Sequence, residues 1–326
     1  MGAVREFLDT HFLHFNSREV VAAARAYEAH LAAGGKMLVT LAGAMSTGRL
    51  GRILSRMIRT GRVHAISCTG ANLEEDVFTL LAADEYEIVA DWRALSAADE
   101  KALYERGMNR VTDTCIPETV MRHLEERLLA AWSGAAARGE RRLPSEFLFE
   151  VLGDPTLSQH YQAPATDSWM LAAREVGIPV FSPGWEDSTT GNMFAAAALQ
   201  GRLPGHSCVL SGTEQMERLI RWYLAQHEAA PGAPSVGFFQ IGGGIAGDFA
   251  ICAVPTIIQD MKQPDTPFWG YFCQISDAVT SYGGYSGAVP NEKITWGKLD
   301  VHTPKFMIQS DASIVAPLVF GYVLGD

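Results

Sequence analysis

The segment Asn291-Glu292-Lys293-Ile294-Thr295-Trp296-Gly297-Lys298 carries the side chains best suited to covalent chemistry. A free lysine amine, with a pKa of about 10.4, is almost wholly an ammonium at neutral pH and cannot attack carbon. Burial beside an aromatic wall disfavours the ammonium and frees the amine for imine formation. Trp296 stands two residues before Lys298 and could supply that wall, with Glu292 as acid, base or cation anchor. On spacing alone, a solvated surface lysine is the commoner reading.

Four other stretches have the composition of ligand-holding loops. Gly43, Ala44, Met45, Ser46, Thr47 and Gly48 put small and hydroxyl residues before a helix, as a pyrophosphate site requires. They do not form a G-x-G-x-x-G fingerprint, and a plain N-cap by Ser46 or Thr47 reads equally well. Thr69-Gly70-Ala71-Asn72-Leu73-Glu74-Glu75-Asp76 places three acids in the expected first turn of a helix, where they also complement the dipole. Gly242-Gly243-Gly244 lets a ligand approach the backbone, or simply ends a strand. The polar stretch 183–192 holds Trp185, Glu186 and Asp187. Four such loops in one chain point to a nucleotide-sized ligand.

Positioning these loops requires strands that alternate with helices. Over residues 18–33, Val20, Ala24, Tyr27 and Leu31 fall on one helical stripe, with Asn16 and Glu19 spaced as a capping box. The apolar run 37–41 reads as a buried strand, the stripe Leu50, Ile53, Leu54, Met57, Ile58 as a helix, and 63–68 as a returning strand. This β-α-β unit implies parallel strands. Further strands are expected at 178–182, 208–210, 236–241, 269–275 and 305–308, and helices at 167–176 and 214–226. Residues 133–144, rich in Gly, Ala and Arg, read as a surface loop or insertion. The pattern predicts an α/β, Rossmann-like doubly wound, mainly parallel sheet with helices on both faces, in one domain over residues 1–326.

Composition narrows the function classes. The chain has 326 residues, 48% hydrophobic and 19% charged, which excludes disorder and collagen. Its 37 acids against 26 Lys plus Arg give a net charge of −11, which argues against nucleic acid as a partner and is compatible with cationic substrates. No apolar run approaches the roughly 20 residues of a membrane span, and the first residues lack the order of a signal peptide, so a cytoplasmic protein is expected. Five scattered cysteines suit reduced thiols, and nine histidines without ligand spacing suggest no metal.

Taken together, the segments T-G-A-N-L-E-E-D (69–76), P-V-F-S-P followed by Asp187 (179–187), G-G-G (242–244), S-G-A-V-P-N-E-K-I-T-W-G-K (286–298) and S-D-A-S (310–313) resemble deoxyhypusine synthase and its relatives, including homospermidine synthases. They stand in family order, and the likeness runs from about residue 38 to the C-terminus. The resemblance implies NAD-dependent oxidation of a polyamine C–N bond, capture of the aminobutyl imine by a lysine, transfer to an acceptor amine and return of the hydride. Lys298 is then the imine-forming lysine, with Glu292 and Asp248 as catalytic neighbours. Glu74, Glu75, Asp187, Asn192, Gly283, Tyr285 and Trp296 would hold substrate. NAD would rest on Gly43 to Thr47, Thr69, Gly70, Ala71, Glu75, Asp187, Gly243, Asp277, Asp311 and Ala312. A homotetramer with sites shared across dimer interfaces is implied as well.

The likeness departs from the deoxyhypusine synthase pattern in the polyamine pocket. Asp248 stands where that family has a histidine suited to proton transfer, Asn192 where it has an aspartate, and Tyr282 and Tyr285 where it has acids. A pocket so altered predicts a different, shorter or less charged amine. The leading expectation is an aminoalkyl transferase acting on small polyamines. Its alternatives are transfer to a lysine of a translation factor, and a non-catalytic polyamine- or NAD-binding homologue.

Overall fold

The run Met37–Leu41 forms β1, buried at all five positions, as expected of a parallel strand covered on both faces. The protein is described by a computed structural model covering residues 2–280 and 283–326. Among these, the remaining strands are β2 (Ala65–Cys68), β3 (Glu87–Ile88), β4 (Met108–Val111), β5 (Thr114–Pro117), β6 (Val180–Phe181), β7 (Gly237–Ile241), β8 (Tyr271–Ser276) and β9 (Lys305–Gln309). Six of them build a parallel sheet in the order β6-β2-β1-β7-β8-β9. The chain winds outward from β1 in one direction and from β7 in the other, so the switch point lies between these two strands. Ligands of open parallel sheets bind outside the carboxyl ends at such a point. Here those ends are the two glycine loops after Leu41 and Ile241.

Side chains alternate across the sheet into two cores. Met37, Val39, Leu41, Phe239, Tyr271 and Cys273 join the larger one. Leu38, Phe238 and Phe272 join the second, with Ala250, Ile251, Val254 and Trp269. The second face also carries a row of polar side chains in register: Ser67 beside Thr40, Thr40 beside Gln240, Gln240 beside Gln274. All four are fully buried. They stand near the carboxyl ends of their strands, beneath the loops that follow.

The doubly wound reading is correct, and five local expectations are revised. Residues 208–210 form no strand; only an isolated bridge joins Val209 to Arg142. Residues 133–138 end the helix Thr119–Arg138, where Ala and Arg favour helix and Ala131, Trp132 and Ala135 pack inward, before Gly139 closes it. No capping box forms at Asn16, whose amide donates instead to Gln309 O at 3.1 Å, while the helix Phe15–Ala32 starts at His14. Neither Ser46 nor Thr47 caps the helix Gly51–Arg59. The helix Gly70–Ala82 begins early enough that Glu74, Glu75 and Asp76 lie beyond its first turn. A further feature was unforeseen: β3, β5 and β4 make a small antiparallel sheet, its strands too short and too polar to announce themselves by period. No helix among the described residues is long and apolar enough to cross a membrane.

Candidate active site

Two loops meet above the polar row. After β7, Gly244 adopts φ +60° and opens the helix Gly244–Ile251. A Cβ on Gly243 would lie 1.8 Å from Ser286 Oγ, so only glycine permits this approach. The Gly244 N–H donates to Ser286 Oγ at 3.3 Å. One helical turn later comes Asp248. After β8 the chain returns through the turn Tyr285–Gly287 and the short helix Glu292–Thr295. The polar row holds this return: Gln274 Nε2 donates to Ser286 O at 2.7 Å, and the Tyr285 hydroxyl donates to Gln240 Oε1 at 2.8 Å. Lys298 is fixed by its backbone, its N–H donating to Lys293 O at 3.0 Å and its carbonyl accepting from Trp269 at 3.3 Å.

These elements enclose a cleft of about 500 Å³ whose lining includes Asp248, Asp260, Tyr285, Glu292, Trp296 and Lys298. The Lys298 side chain is 9% exposed, with Nζ 3.0 Å from Asp248 Oδ1. It lies 5.4 Å from the centre of the Tyr285 ring and 6.0 Å from that of Trp296. Trp296 is 63% exposed and forms the rim of the cleft, and Glu292 and Gly283 are exposed as well. The half-buried Tyr285 hydroxyl is pushed well above its ordinary pKa by desolvation.

A second amine shares this space. Lys293 is 2% exposed, 5.0 Å from the Phe272 ring centre and 4.9 Å from that of Tyr285. Desolvation first, then the Lys298 charge, lowers its pKa to about 8. In the sequence a lysine between Glu292 and Ile294 looks like part of a solvated face, so its burial is not announced. Gln240, the lone polar residue of β7, and Gln274, within the largely apolar β8, were missed too.

The other expected ligands lie along the same edge of the sheet but outside this cleft. Asn72 ties the first two loops together: its Nδ2 donates to Gly43 O and to Thr69 Oγ1, both at 2.8 Å, and its Oδ1 accepts from Ser46 N at 2.9 Å. Ala44 and Met45 are half-buried beside it, and Thr69 caps the helix that begins at Gly70 and Ala71. Glu75 Oε2 and Thr47 Oγ1 are buried without a hydrogen-bond partner among the described residues. Desolvation raises the Glu75 carboxyl to about 7. Both oxygens of Glu74 accept backbone N–H groups, from Thr189 at 2.8 Å and Thr190 at 2.7 Å, and so fix the start of the helix Thr189–Leu199. Asp187 is exposed. Asn192 donates to Ser188 O at 2.5 Å and faces a separate cleft with Arg122, Trp132 and Arg202. Asp277 is exposed after β8, and Asp311 caps the helix Ala312–Leu324 through Ser313 N at 2.7 Å. Tyr282 lies outside the described residues.

The fold and cleft define an α/β protein that buries a lysine amine among carboxylates and aromatic rings at the carboxyl edge of a parallel sheet. The chain belongs to the deoxyhypusine synthase family, whose model, "DS: Deoxyhypusine synthase", matches residues 8–323. That family is one of transferases. The chain is 28% identical over 331 residues to a "Deoxyhypusine synthase-like protein" of Thermosynechococcus vestitus, covering 99% of this chain and 78% of the relative. It is 25% identical over 292 residues to "Probable deoxyhypusine synthase 2" of Archaeoglobus fulgidus, covering 89% and 87%. Its fold is like that in the crystal structure of a candidate deoxyhypusine synthase from Entamoeba histolytica, with a TM-score of 0.59 at 13% identity over 98% of this chain and 92% of that one.

Proposed function

We propose that the chain is an NAD-dependent aminoalkyl transferase that moves the aminobutyl group of a polyamine, through an imine on Lys298, to a small amine acceptor, as homospermidine synthases do. The observation that carries this reading is the placement of Lys298 Nζ, nearly buried in a cleft walled by Asp248, Asp260, Glu292 and two aromatic rings. A linear polyamine carries ammonium groups along an apolar chain. Carboxylates bind the former, and the ring faces of Tyr285 and Trp296 suit both.

Lys298, once deprotonated, attacks the carbon of the oxidised C–N bond. A new C–N bond forms to Nζ, and the remainder of the donor leaves as an amine. The acceptor amine then displaces Lys298 at the same carbon. Asp248 orients the lysine through their hydrogen bond, while Glu292 and Asp260 stand where they can hold distal ammonium groups.

NAD, when bound, supplies a reversible hydride acceptor and is regenerated within the cycle. The residues fit such a group. Glu75 Oε2 and Thr47 Oγ1 are buried polar atoms with unused hydrogen-bonding capacity, suited to ribose hydroxyls. The N-terminus of the helix Gly70–Ala82 suits a phosphate beside the switch point. Gly43 to Thr47, Thr69 to Ala71, Glu75, Asp187, Gly243, Asp277, Asp311 and Ala312 would hold it. Exposed Ile245, Val279 and Ile314 follow β7, β8 and β9 on this edge and support an assembly in which copies cover it.

Purified protein incubated with NAD and putrescine, spermidine or agmatine is expected to yield a longer polyamine, read by mass spectrometry. No product from any pair overturns the reading. Label from spermidine appearing on a translation factor instead of on a small amine assigns the acceptor to protein.

A further inference from the structure

Lys298 and Lys293 line the same cleft, yet their surroundings differ. Lys298 is paired with Asp248. Lys293 Nζ has only neutral oxygen partners among the described residues, Gln274 Oε1 at 3.5 Å and Ala288 O at 3.3 Å, and it rests between the faces of Phe272 and Tyr285. The ionisable groups around it are Lys298, Asp248 and Glu292, with Asp260, Cys252 and Tyr285 lining the same space. No histidine lines the cleft among the described residues. A site holding two amines and one close ion pair loses a proton most easily from the amine that is buried without an ionic partner.

We propose that Lys293 is the more readily deprotonated amine of this cleft and, in its free-amine form, accepts the proton that a substrate ammonium must lose before its nitrogen can be oxidised or can attack. The step is R–NH3+ plus Lys293–NH2 giving R–NH2 plus Lys293–NH3+, with no change of oxidation state. It rests on the amine-transfer reading above and adds a proton acceptor to it. The acceptor is matched to its task, since a pKa of about 8 lies close to neutral pH, where general bases work best. The Lys298–Asp248 pair has a second use here, because its ammonium opposes a second positive charge nearby.

The chain has six lysines, at 36, 101, 262, 293, 298 and 305, so a full-length sample labelled at lysine Cε gives a simple carbon NMR spectrum to follow with pH. One resonance, absent in Lys293→Met, is expected to titrate with a midpoint of about 8. In Lys298→Met, which keeps Lys293, that midpoint is expected to rise. A Lys293 midpoint at the ordinary lysine value of about 10.4 overturns the proposal whatever the activity. In kinetics, Lys293→Met is expected to lower kcat/KM for diamine transfer by about a hundredfold at neutral pH and to remove the pH limb that follows Lys293. An active Lys293→Met enzyme with an unchanged profile overturns the base role alone. A wild type that titrates near 8 but transfers no amine sinks the transfer reading and the base role with it.

Discussion

Lys298 Nζ stands 3.0 Å from Asp248 Oδ1, so the amine proposed to attack carbon rests against a carboxylate supplied by the helix after β7. Asp248→Asn keeps the shape and removes the charge. Lys298 then loses the charged partner that orients it, and kcat for diamine transfer should fall. KM for a diamine should increase about tenfold, the weight of one charge-assisted hydrogen bond. Initial rates measured across diamine concentration decide it, and unchanged kcat with unchanged KM counts against the ion pair's role.

Lys298→Ala should abolish transfer while leaving NAD affinity within about twofold, since Lys298 is not among the residues assigned to hold the dinucleotide. Borohydride added during turnover should leave an aminoalkyl adduct on residue 298, located by peptide mass. An adduct on another lysine moves the covalent chemistry to that residue.

Tyr285→Phe should lower stability by about 1–3 kcal/mol, because Gln240 Oε1 loses its 2.8 Å donor inside the protein. The urea midpoint of unfolding measures this. Tyr285→Phe with Gln240→Leu, which removes both polar groups, should recover part of the loss.

Burial raises the Glu75 carboxyl to about 7 from 4.5 and that of Asp76 to about 6 from 3.8. The folded chain therefore binds these protons more tightly than the unfolded chain. Their contribution to stability is complete below about pH 4, falls as pH rises above it, and is gone once pH has passed the folded values of about 6 and about 7. Glu75→Gln should be more stable than wild type by on the order of 2 kcal/mol at about pH 8, and nearly equal to it at about pH 4. Thermal melts at both pH values test the sign.

Gly243→Ala should destabilise the chain by about 1–3 kcal/mol and lower transfer, because its methyl meets Ser286 Oγ at 1.8 Å. Ser286→Gly should restore only part of the loss, since the Ser286 Cα is itself 2.8 Å from the added carbon.

Much of the scaffold is legible in single segments. Residues 37–41 and 236–241 are apolar runs bounded by glycine, and both became central strands. The spacing of Trp296 and Lys298 led to the cleft because both belong to one short turn in the return after β8. What could not be read depends on partners distant in sequence. Glu74 and Asp76 look like ligands or dipole charges, but they accept backbone N–H groups of Thr189, Thr190 and Met170, about a hundred residues away. Lys293 looks solvated because nothing near it in the chain announces Phe272. The antiparallel strands β3 to β5 carry no alternation to find. Thr40, Gln240 and Gln274 line up only once the register is known.

The buried polar row gives the floor of the cleft a foundation separate from its rim. Gln240 and Gln274 sit in strands that neither neighbour can shift alone, whereas Trp296, Glu292 and Gly283 ride on exposed turns above them. Under the proposed amine transfer, substitutions at the rim would exchange one amine for another while Lys298 keeps its position, and new substrate preferences would evolve without rebuilding the sheet.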